Sequence, residues 1–219
     1  MWILPTRSRP DNCKRFLNAY LETNASTPVY VRLDECDPSL KELISLSWPD
    51  NFQIAIGPRE GVRKAMNELF INYPNLKWYG FLADDVVPRT RGWDTMLVEK
   101  AGNKNISYPN DLGKPKKQFL PTIPCVGGDL VRSIGWFGFP ATHHFYTDTI
   151  WRYIGDHLNN IYRLENVIVE HMHFGRGKSN IDEIYQQSQA KMKSDSESYH
   201  KWINESGPQV IKDLKSKGL

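Results

Sequence analysis

Short apolar runs alternate with helical stripes through the first half of the chain. The clearest stripe joins Val62, Ala65, Met66, Leu69 and Phe70, which recur at the spacing of one face of an α-helix. Four apolar runs are predicted to be buried strands: residues 2–4, 29–33, 52–56 and 78–83. Because strands and helices alternate, the pattern predicts a mostly parallel sheet with helices on both faces.

The second half of the chain has a weaker pattern. Residues 102–124 are rich in Asn, Lys, Pro and Gly, which predicts a long loop. A helix is expected to begin at Thr147-Asp148, since either residue can cap it, and the apolar residues 167–169 predict a late strand. From about Ile181 the chain is polar and rich in lysine, and we expect it to be helical.

Length and composition fit one folded unit with a short appendage. The chain has 219 residues, of which 40% are hydrophobic and 24% charged, and this composition excludes a largely disordered chain. We expect a main domain over residues 1–180 and a helical C-terminal extension over residues 181–219 packed on it. No apolar stretch approaches the roughly 20 residues of a membrane span. The three cysteines suggest neither a disulfide framework nor a zinc site, so we expect a cytoplasmic protein.

The charge of the chain leaves its partner open. The 28 basic residues exceed the 25 acidic ones by three, whereas a nucleic-acid footprint is usually more basic and more clustered. Two lysine-rich stretches suit either a phosphate backbone or a solvated surface. Their lysines are Lys114, Lys116, Lys117, Lys191, Lys193, Lys212, Lys215 and Lys217.

Two adjacent carboxylates, Asp84 and Asp85, directly follow the fourth predicted strand. Ligands of open α/β sheets bind at this end of the strands. Like charges so close together repel each other, and Mg2+ or Mn2+ would offset the repulsion because such ions prefer oxygen ligands. The alternative is a polar turn in which the first aspartate caps a helix.

Two histidines lie two positions apart near the end of the last predicted strand. With the period of a strand, the side chains of His171 and His173 point to the same face. They form either a pair of metal ligands or one ligand with a supporting neighbour. A sheet brings them to the edge that carries Asp84 and Asp85 only if the strands run in the same direction.

Asp148 also has two interpretations. It lies at a predicted helix N-terminus, where an aspartate caps the helix or stabilises its dipole, and it is a candidate general base. Gly127-Gly128 likewise permits either a close backbone approach to a ligand or a simple turn. The sequence motifs of P-loop enzymes, serine hydrolases, zincins and dinucleotide-binding Rossmann enzymes do not occur, so these classes have no support.

In their order and spacing these features resemble the GT-A class of nucleotide-sugar-dependent glycosyltransferases, particularly its large inverting family. The resemblance covers roughly residues 1–175. It implies a GT-A-like, Rossmann-like fold: a mostly parallel central sheet flanked by helices, with the catalytic domain over residues 1–180. The matching segments are Pro5-Thr6-Arg7-Ser8-Arg9-Pro10, Asp34, Gly61-Val62-Arg63-Lys64-Ala65-Met66-Asn67, Phe81-Leu82-Ala83-Asp84-Asp85, Tyr146-Thr147-Asp148, and His171 or His173.

The resemblance also implies roles for individual residues. Asp85 and His171 or His173 would bind Mn2+ or Mg2+, and Asp148 would be the catalytic base of an inverting transfer. The expected donor is a UDP-sugar, and the loop around Arg176 and Lys178 either closes over its diphosphate or is a solvated turn. The residues implied for donor binding are Pro5, Thr6, Arg7, Arg9, Asp34, Arg63, Asn67, Asp84, Arg176 and Lys178.

The acceptor is expected to be a saccharide or a hydroxylated base in DNA, as for some bacteriophage enzymes of this broad class. An aromatic ring such as that of Trp136 can stack on a sugar or on a flipped base. Two other functions stay open: a metal-dependent phosphodiesterase or nuclease that uses the same acids and histidines, and a non-catalytic nucleic-acid-binding module. The residues expected to bind the acceptor are Gly127, Gly128, Asp129 and Trp136.

Overall fold

A computed structural model describes residues 1–113 and 119–219. Lys114, Lys116 and Lys117, named above as candidates for phosphate binding, lie outside the described residues. The strands are β1 (Trp2–Thr6), β2 (Val29–Asp34), β3 (Phe52–Gly57), β4 (Trp78–Phe81), β5 (Val86–Pro88), β6 (Ile106–Asn110), β7 (Cys125–Gly127) and β8 (Ile161–His171). The helices are α1 (Pro10–Glu22), α2 (Leu40–Ile44), α3 (Val62–Asn72), α4 (Trp93–Ala101), α5 (Gly128–Ile134), α6 (Thr147–Leu158), α7 (Glu183–Gln189), α8 (Met192–Glu205) and α9 (Gly207–Ser216), with a short 3-10 helix at Phe174–Arg176.

An eight-stranded sheet organises the chain in the order β3-β2-β1-β4-β7-β6-β8-β5. The first four strands are parallel, as the alternation of strands and helices predicts. β7 is antiparallel to both of its neighbours, β4 and β6, whereas β6 and β8 are parallel. The two reversals cancel, so β8 runs in the same direction as β4. The carboxyl ends of β1, β2, β4 and β8 therefore lie at one edge of the sheet.

Two strands depend on partners far away in the chain, and the local pattern predicts neither. β6 lies inside the predicted loop at 102–124, and its sequence contains a proline and an asparagine, which are depleted in strands. It forms because β7 and β8 pair with its two edges and because Ile106 and Tyr108 are buried. β5 has three residues and pairs with the end of β8. The prediction of one continuous loop over 102–124 is therefore wrong.

Apolar side chains fill both faces of the sheet. Trp2 and Leu4 of β1 point to the face covered by α1, α2 and α4, whereas Ile3 points to the face covered by α3, α5, α6 and α9. All three side chains are fully buried, which stabilises the fold by roughly 2–3 kcal/mol for each of them. Gly80 pairs with Trp2, and a Cβ atom at position 80 would lie 2.0 Å from the Trp2 ring. This point of the sheet therefore requires glycine.

Beyond Ile181 the chain forms α7, α8 and α9, and side chains of α8 and α9 pack against earlier parts of the molecule. Ile211 and Leu214 of α9 are buried against the second of these faces, and the ring of Trp202 in α8 packs against that of Phe139. In the described parts of the chain, the helices are all too short or too polar to span a lipid bilayer.

A buried carboxylate ties α8 to the loop that leads into α6. Asp195 is fully buried and accepts hydrogen bonds from the backbone N–H groups of His143 at 2.8 Å, His144 at 2.9 Å and Phe145 at 2.9 Å. An ionised carboxylate suits this position because it only accepts hydrogen bonds and has room for several donors. Asp195 therefore fixes the path of three consecutive residues.

We expect Asp195→Ala to lower the free energy of unfolding by about 3 kcal/mol, because three amides then lose their acceptor inside the protein. Urea denaturation measures this change. Asp213 on α9 is an exposed acid and provides the control, since Asp213→Ala should change the stability by less than about 0.5 kcal/mol. Equal losses in the two variants would contradict the role assigned to Asp195.

Candidate active site

A cavity of about 620 Å³ lies at the edge where the parallel strands end. Its volume is typical of a small-molecule site, and its place agrees with the general position of ligands in α/β sheets. Neighbouring strands bring together residues that are far apart in the sequence. Six residues predicted to bind a donor line this cavity: Pro5, Thr6, Arg7, Arg9, Asp34 and Asp84.

Arg9 compensates the charge of Asp84, the first of the two adjacent acids. Arg9 Nη1 lies 2.9 Å from Asp84 Oδ1, and the Thr6 hydroxyl donates to Asp84 Oδ2 at 2.9 Å. Burial raises the pKa of Asp84, and the positive charge of Arg9 opposes that rise. Both oxygens of Asp84 thus have protein partners, and the repulsion within the acidic pair is offset by an arginine.

Asp85 faces His171 because β5, the short strand that follows Asp85, pairs with the end of β8. Val86, the first residue of β5, pairs with His171 at the end of β8, and Asp85 comes directly before it. Asp85 Oδ1 lies 3.1 Å from His171 Nε2, and the Tyr185 hydroxyl donates to Asp85 Oδ2 at 2.6 Å. Burial alone would raise the pKa of Asp85, but the hydrogen bonds from His171 and Tyr185 and the charge of His171 hold it well below its usual range.

The separation between Asp85 and His171 is that of a hydrogen bond and equally that of two adjacent ligands of a divalent cation. Two ligands at right angles, each about 2.1 Å from an ion, are about 3.0 Å apart. The observed separation is 3.1 Å. A carboxylate oxygen suits Mg2+ or Mn2+, and the imidazole favours the transition metal. Among residues 1–113 and 119–219, no three His, Cys, Asp or Glu side chains group closely enough to hold a metal ion by themselves. A bound molecule and water would therefore supply the other ligands.

His173 lies beside this pair of residues. Its ring centre is 5.3 Å from that of His171, and its Nδ1 accepts a hydrogen bond from the backbone N–H of Gly175 at 3.1 Å. The ring also packs against Phe174 and Tyr185. His173 thus lies against His171 and Tyr185, and its Nδ1 is occupied by a backbone N–H.

Asp148 lies in the first turn of α6 and is half-buried. Its Oδ1 accepts hydrogen bonds from the backbone N–H of Thr149 at 2.7 Å and from the Thr149 hydroxyl at 3.2 Å. Burial raises the pKa of Asp148, and the charge of His171 is close enough to oppose the rise. Tyr146 occupies the N-cap position, so Asp148 is a first-turn acid and not the cap. A carboxylate with a raised pKa within electrostatic reach of His171 is suited to proton transfer.

Arginine side chains surround Asp34 in the cavity wall. Arg7 Nη1 lies 3.3 Å from Asp34 Oδ2, and Arg32 Nη1 lies 4.0 Å from Asp34 Oδ1. Arg32 is itself held by Glu68 at 2.7 Å. Burial raises the pKa of Asp34, and the charges of both arginines oppose that rise. Arg32 and Arg59 also line the cavity, and the sequence analysis named neither of them. For Arg32 a signal was present, because it is a charged residue inside the mostly apolar strand β2.

Helix α3 turns two predicted donor residues away from the cavity. Asn67 Oδ1 accepts hydrogen bonds from the backbone N–H groups of Phe137 and Gly138, and its Nδ2 donates to the Gly138 carbonyl. Asn67 therefore shapes a loop. Arg63 lies outside the cavity lining, whereas Arg59, just before the helix, is part of it. The helical period explains why Arg63 and Asn67 are not in the lining. Residues 62, 65 and 68 lie on the face of α3 that borders the cavity, and residues 63 and 67 lie on other faces.

The predicted closing loop forms ion pairs outside the cavity lining. Arg176 Nη2 contacts Asp111 Oδ2 at 2.6 Å, and Lys178 Nζ contacts Glu170 Oε1 at 2.7 Å. These pairs hold the segment after β8, and neither Arg176 nor Lys178 is part of the lining. Later residues of the C-terminal region line the cavity instead. They are Ile184, Gln187, Ser188, Ala190 and Lys191.

The residues expected to bind the acceptor do not join this site. β7 runs antiparallel to β4, and Gly127 pairs with Trp78 at the start of β4. Gly127, Gly128 and Asp129 therefore lie toward the opposite edge of the sheet. Trp136 packs among the aromatic rings of the core. Residue order alone does not reveal the direction of β7, and the acceptor assignment depended on that direction.

Comparisons with known proteins identify the fold. No family model matches the sequence, and no curated protein matches it. The mannosyltransferase PcManGT from Pyrobaculum calidifontis, in complex with GDP-Man and Mn2+, is similar over 98% of this chain and 72% of its own, with a TM-score of 0.62 and 11% identity. A mycobacterial protein gives a TM-score of 0.56 at 10% identity over 89% of this chain and 74% of its own. HddC from Yersinia pseudotuberculosis gives 0.50 at 11% identity over 87% and 98%.

These similarities show that the chain has a GT-A-like α/β fold, as the sequence resemblance predicts. At 10–11% identity, they show the fold alone. What the site does must therefore be argued from its own residues.

Proposed function

We propose that this protein is a glycosyltransferase that moves a sugar from a nucleotide-sugar donor to an acceptor hydroxyl with the help of a divalent cation. The observation that carries the proposal is the cavity that contains Asp34 and Asp84 and lies directly beside the Asp85–His171 pair. The cavity is suited to a nucleotide, and the Asp85–His171 pair next to it is suited to a metal ion. PcManGT has a similar fold and binds GDP-Man with Mn2+, which supports this choice of donor class and ion.

Asp34 and its arginines are proposed to bind the nucleoside. A carboxylate accepts hydrogen bonds, and both uracil and guanine carry a ring N–H that can donate to it; in guanine a neighbouring amino group can donate as well. Arg7 and Arg59 can donate to the carbonyl oxygens of such a base. The sequence resemblance favours a UDP-sugar, whereas the ligand of PcManGT favours a GDP-sugar. Both donors therefore enter the experiment below.

Asp85 and His171 are proposed to hold Mn2+ or Mg2+. A bound ion would supply stabilisation of the negative charge that develops on the leaving diphosphate. Arg9 keeps the acidic pair compatible with folding, because it neutralises Asp84 and leaves Asp85 as the remaining negative charge. Because Arg9 neutralises one of the two charges, two acids can lie next to each other at a buried strand end.

Asp148 is proposed to be the general base. It removes the proton from the acceptor hydroxyl, whose oxygen attacks the anomeric carbon as the bond from that carbon to the diphosphate breaks. Attack from the face opposite to the leaving group inverts the anomeric centre. Burial raises the pKa of Asp148, and this raises its affinity for the proton that it must accept.

A saccharide is the acceptor that we propose. A flipped DNA base would need an exposed aromatic ring such as that of Trp136, but this ring is partly buried and packs against Phe139 and Trp151. The phosphodiesterase alternative is less well supported, because both oxygens of Asp84 already have protein partners and two-metal hydrolases need several available carboxylates. Incubation of the protein and a labelled donor with oligosaccharides or with DNA containing hydroxymethylated bases separates these acceptors.

Thermal denaturation with a panel of nucleoside diphosphates tests the donor site. We expect UDP or GDP with Mn2+ to raise the melting temperature by about 5–10 °C at a hundredfold excess over the dissociation constant, because a ligand that binds only the folded state stabilises it. ADP and CDP should produce smaller shifts. Removal of the ion by a chelator should abolish most of the increase.

The outcome that contradicts the donor site is equally clear. If no diphosphate raises the melting temperature of folded protein, with or without Mn2+, the cavity does not bind a nucleotide. A shift that is the same with and without the ion would retain the nucleotide site but reject the role of Asp85 and His171.

A further inference from the structure

A helix from the C-terminal region lies against the proposed metal site. α7 is seven residues long, and Tyr185 within it reaches Asp85 across one hundred positions of sequence. This contact is absent from the roles that the resemblance implies, which end near residue 178. The helix therefore adds a side chain to the site that needs an explanation.

The two oxygens of Asp85 have different neighbours. Oδ2 accepts the hydrogen bond from the Tyr185 hydroxyl at 2.6 Å, whereas Oδ1 faces His171 Nε2 at 3.1 Å. The tyrosine thus takes the oxygen that does not face the histidine. It leaves Oδ1 directed toward the position where an ion would bridge Asp85 and His171.

Tyr185 is itself held on several sides. The Arg9 guanidinium lies over its ring at 4.2 Å, and the rings of Phe174 and His173 lie at 4.6 Å and 5.1 Å. The backbone N–H of Tyr185 donates to Asp182 Oδ1 at 2.9 Å. The hydroxyl therefore has little freedom to turn away from Asp85.

Asp182 connects this helix to the acidic pair. Its carboxylate caps α7 and also binds Arg9 through two hydrogen bonds, at 2.8 Å and 2.9 Å. Arg9 uses its remaining terminal nitrogen for Asp84. A continuous network thus runs from α7 through Arg9 to the strand end that carries both acids.

We propose that Tyr185 is a positioning residue that holds the Asp85 carboxylate in the orientation needed to bind the metal ion. The inference builds on the proposed function, since it concerns the ion of that same site. Hydrogen bonds to a ligating carboxylate restrict its rotation, and removing such a partner typically weakens metal binding 10- to 100-fold. Tyr185 does not itself contact the ion.

The opposite role makes an opposite prediction. If the tyrosine hydroxyl competed with the ion for Asp85, its removal would tighten metal binding. The direction of the change therefore distinguishes a positioning residue from an internal competitor, and this distinction does not depend on measuring sugar transfer.

The test compares Mn2+ binding by the full-length wild-type chain and by Tyr185→Phe, in the presence of a saturating nucleoside diphosphate. The electron paramagnetic resonance signal of free Mn2+ reports the bound fraction. We expect about a tenfold larger dissociation constant in Tyr185→Phe. The ring remains, so its contacts with Arg9, Phe174 and His173 should persist. Tyr162→Phe is the matched control, because Tyr162 lies at the start of β8, at the other end of the strand from His171.

Asp182→Asn provides a second, independent variant. Asparagine still caps the helix, but it loses the charge that attracts Arg9. We expect a several-fold weaker affinity for Mn2+ with the fold retained.

Each result decides between the proposals. Unchanged or tighter Mn2+ binding in Tyr185→Phe, with wild-type protein that binds Mn2+ and nucleotide normally, overturns the role of Tyr185 alone. Failure of the wild-type protein to bind Mn2+ with any diphosphate overturns the proposed metal site together with this inference. A loss of affinity in Tyr185→Phe, but not in Tyr162→Phe, supports it.

Discussion

Replacing Asp85 by asparagine is expected to lower kcat/KM for sugar transfer about 10³-fold, the size of effect found when a group that stabilises transition-state charge is removed. The amide oxygen of asparagine is neutral and binds a divalent cation weakly. Its amide has a single oxygen, so it cannot accept hydrogen bonds at both of the positions where Asp85 now contacts Tyr185 and His171. Initial rates over a range of Mn2+ concentrations measure the loss.

Asp129→Asn is the control for this experiment. Asp129 is also an acid in an ion pair, 2.6 Å from Arg132, but it lies toward the opposite edge of the sheet. We expect its rates to stay within about twofold of the wild type, since substitutions away from such sites usually have small effects. If Asp85→Asn kept its activity and its Mn2+ dependence while Asp129→Asn lost them, the metal site would have to be sought elsewhere.

Much of the fold was predictable because its first half follows local rules. β1 is apolar on both faces and β2 is buried along nearly its whole length, and strands of this kind need helices on each side to cover them. Parallel neighbours in turn require long connections, and the helices α1 to α3 supply them. The sheet edge that carries the cavity followed from this order, and so did the placement of Thr6, Asp34 and Asp84 along it.

The remaining strands were not predictable from local pattern. β5 and β6 are short and owe their existence to pairing with β7 and β8. β5 is nevertheless the element that brings Asp85 to His171. From the sequence, the proximity of Asp85 and His171 was therefore only a hypothesis. The pairing of β5 with β8 is what places the two side chains next to each other.

Tyr185 shows the limit of reasoning from residue type. It lies in a polar, helical stretch in which a solvated surface is the ordinary expectation for most side chains. Tyr185 contacts Asp85 because α7 packs against the strand ends, and no sequence motif predicts that packing. The predicted basic loop at Arg176 and Lys178 had the more obvious charge, yet those side chains pair with Asp111 and Glu170.

The pH dependence of transfer is expected to report the ionisation of Asp148. A general base works only when it is deprotonated, so kcat/KM should fall as the pH drops through the pKa of Asp148. Because burial raises that pKa, the fall should begin at a higher pH than for an exposed aspartate. A profile of kcat/KM against pH measures the position of this acidic limb.

Asp148→Asn should lower kcat by about 10² to 10⁴-fold and remove that limb, because the amide cannot accept the proton of the acceptor hydroxyl. Nucleoside diphosphate affinity should be unchanged, since Asp148 is not part of the cavity lining. The pH profile and the nucleotide affinity together separate an effect on catalysis from an effect on binding. If Asp148 were only a first-turn acid that stabilises the helix, its replacement would lower the stability and leave the pH profile of kcat/KM unchanged. An Asp148→Asn variant that keeps the same acidic limb would assign the titration to another group, and Asp148 would then be only a helix-stabilising acid.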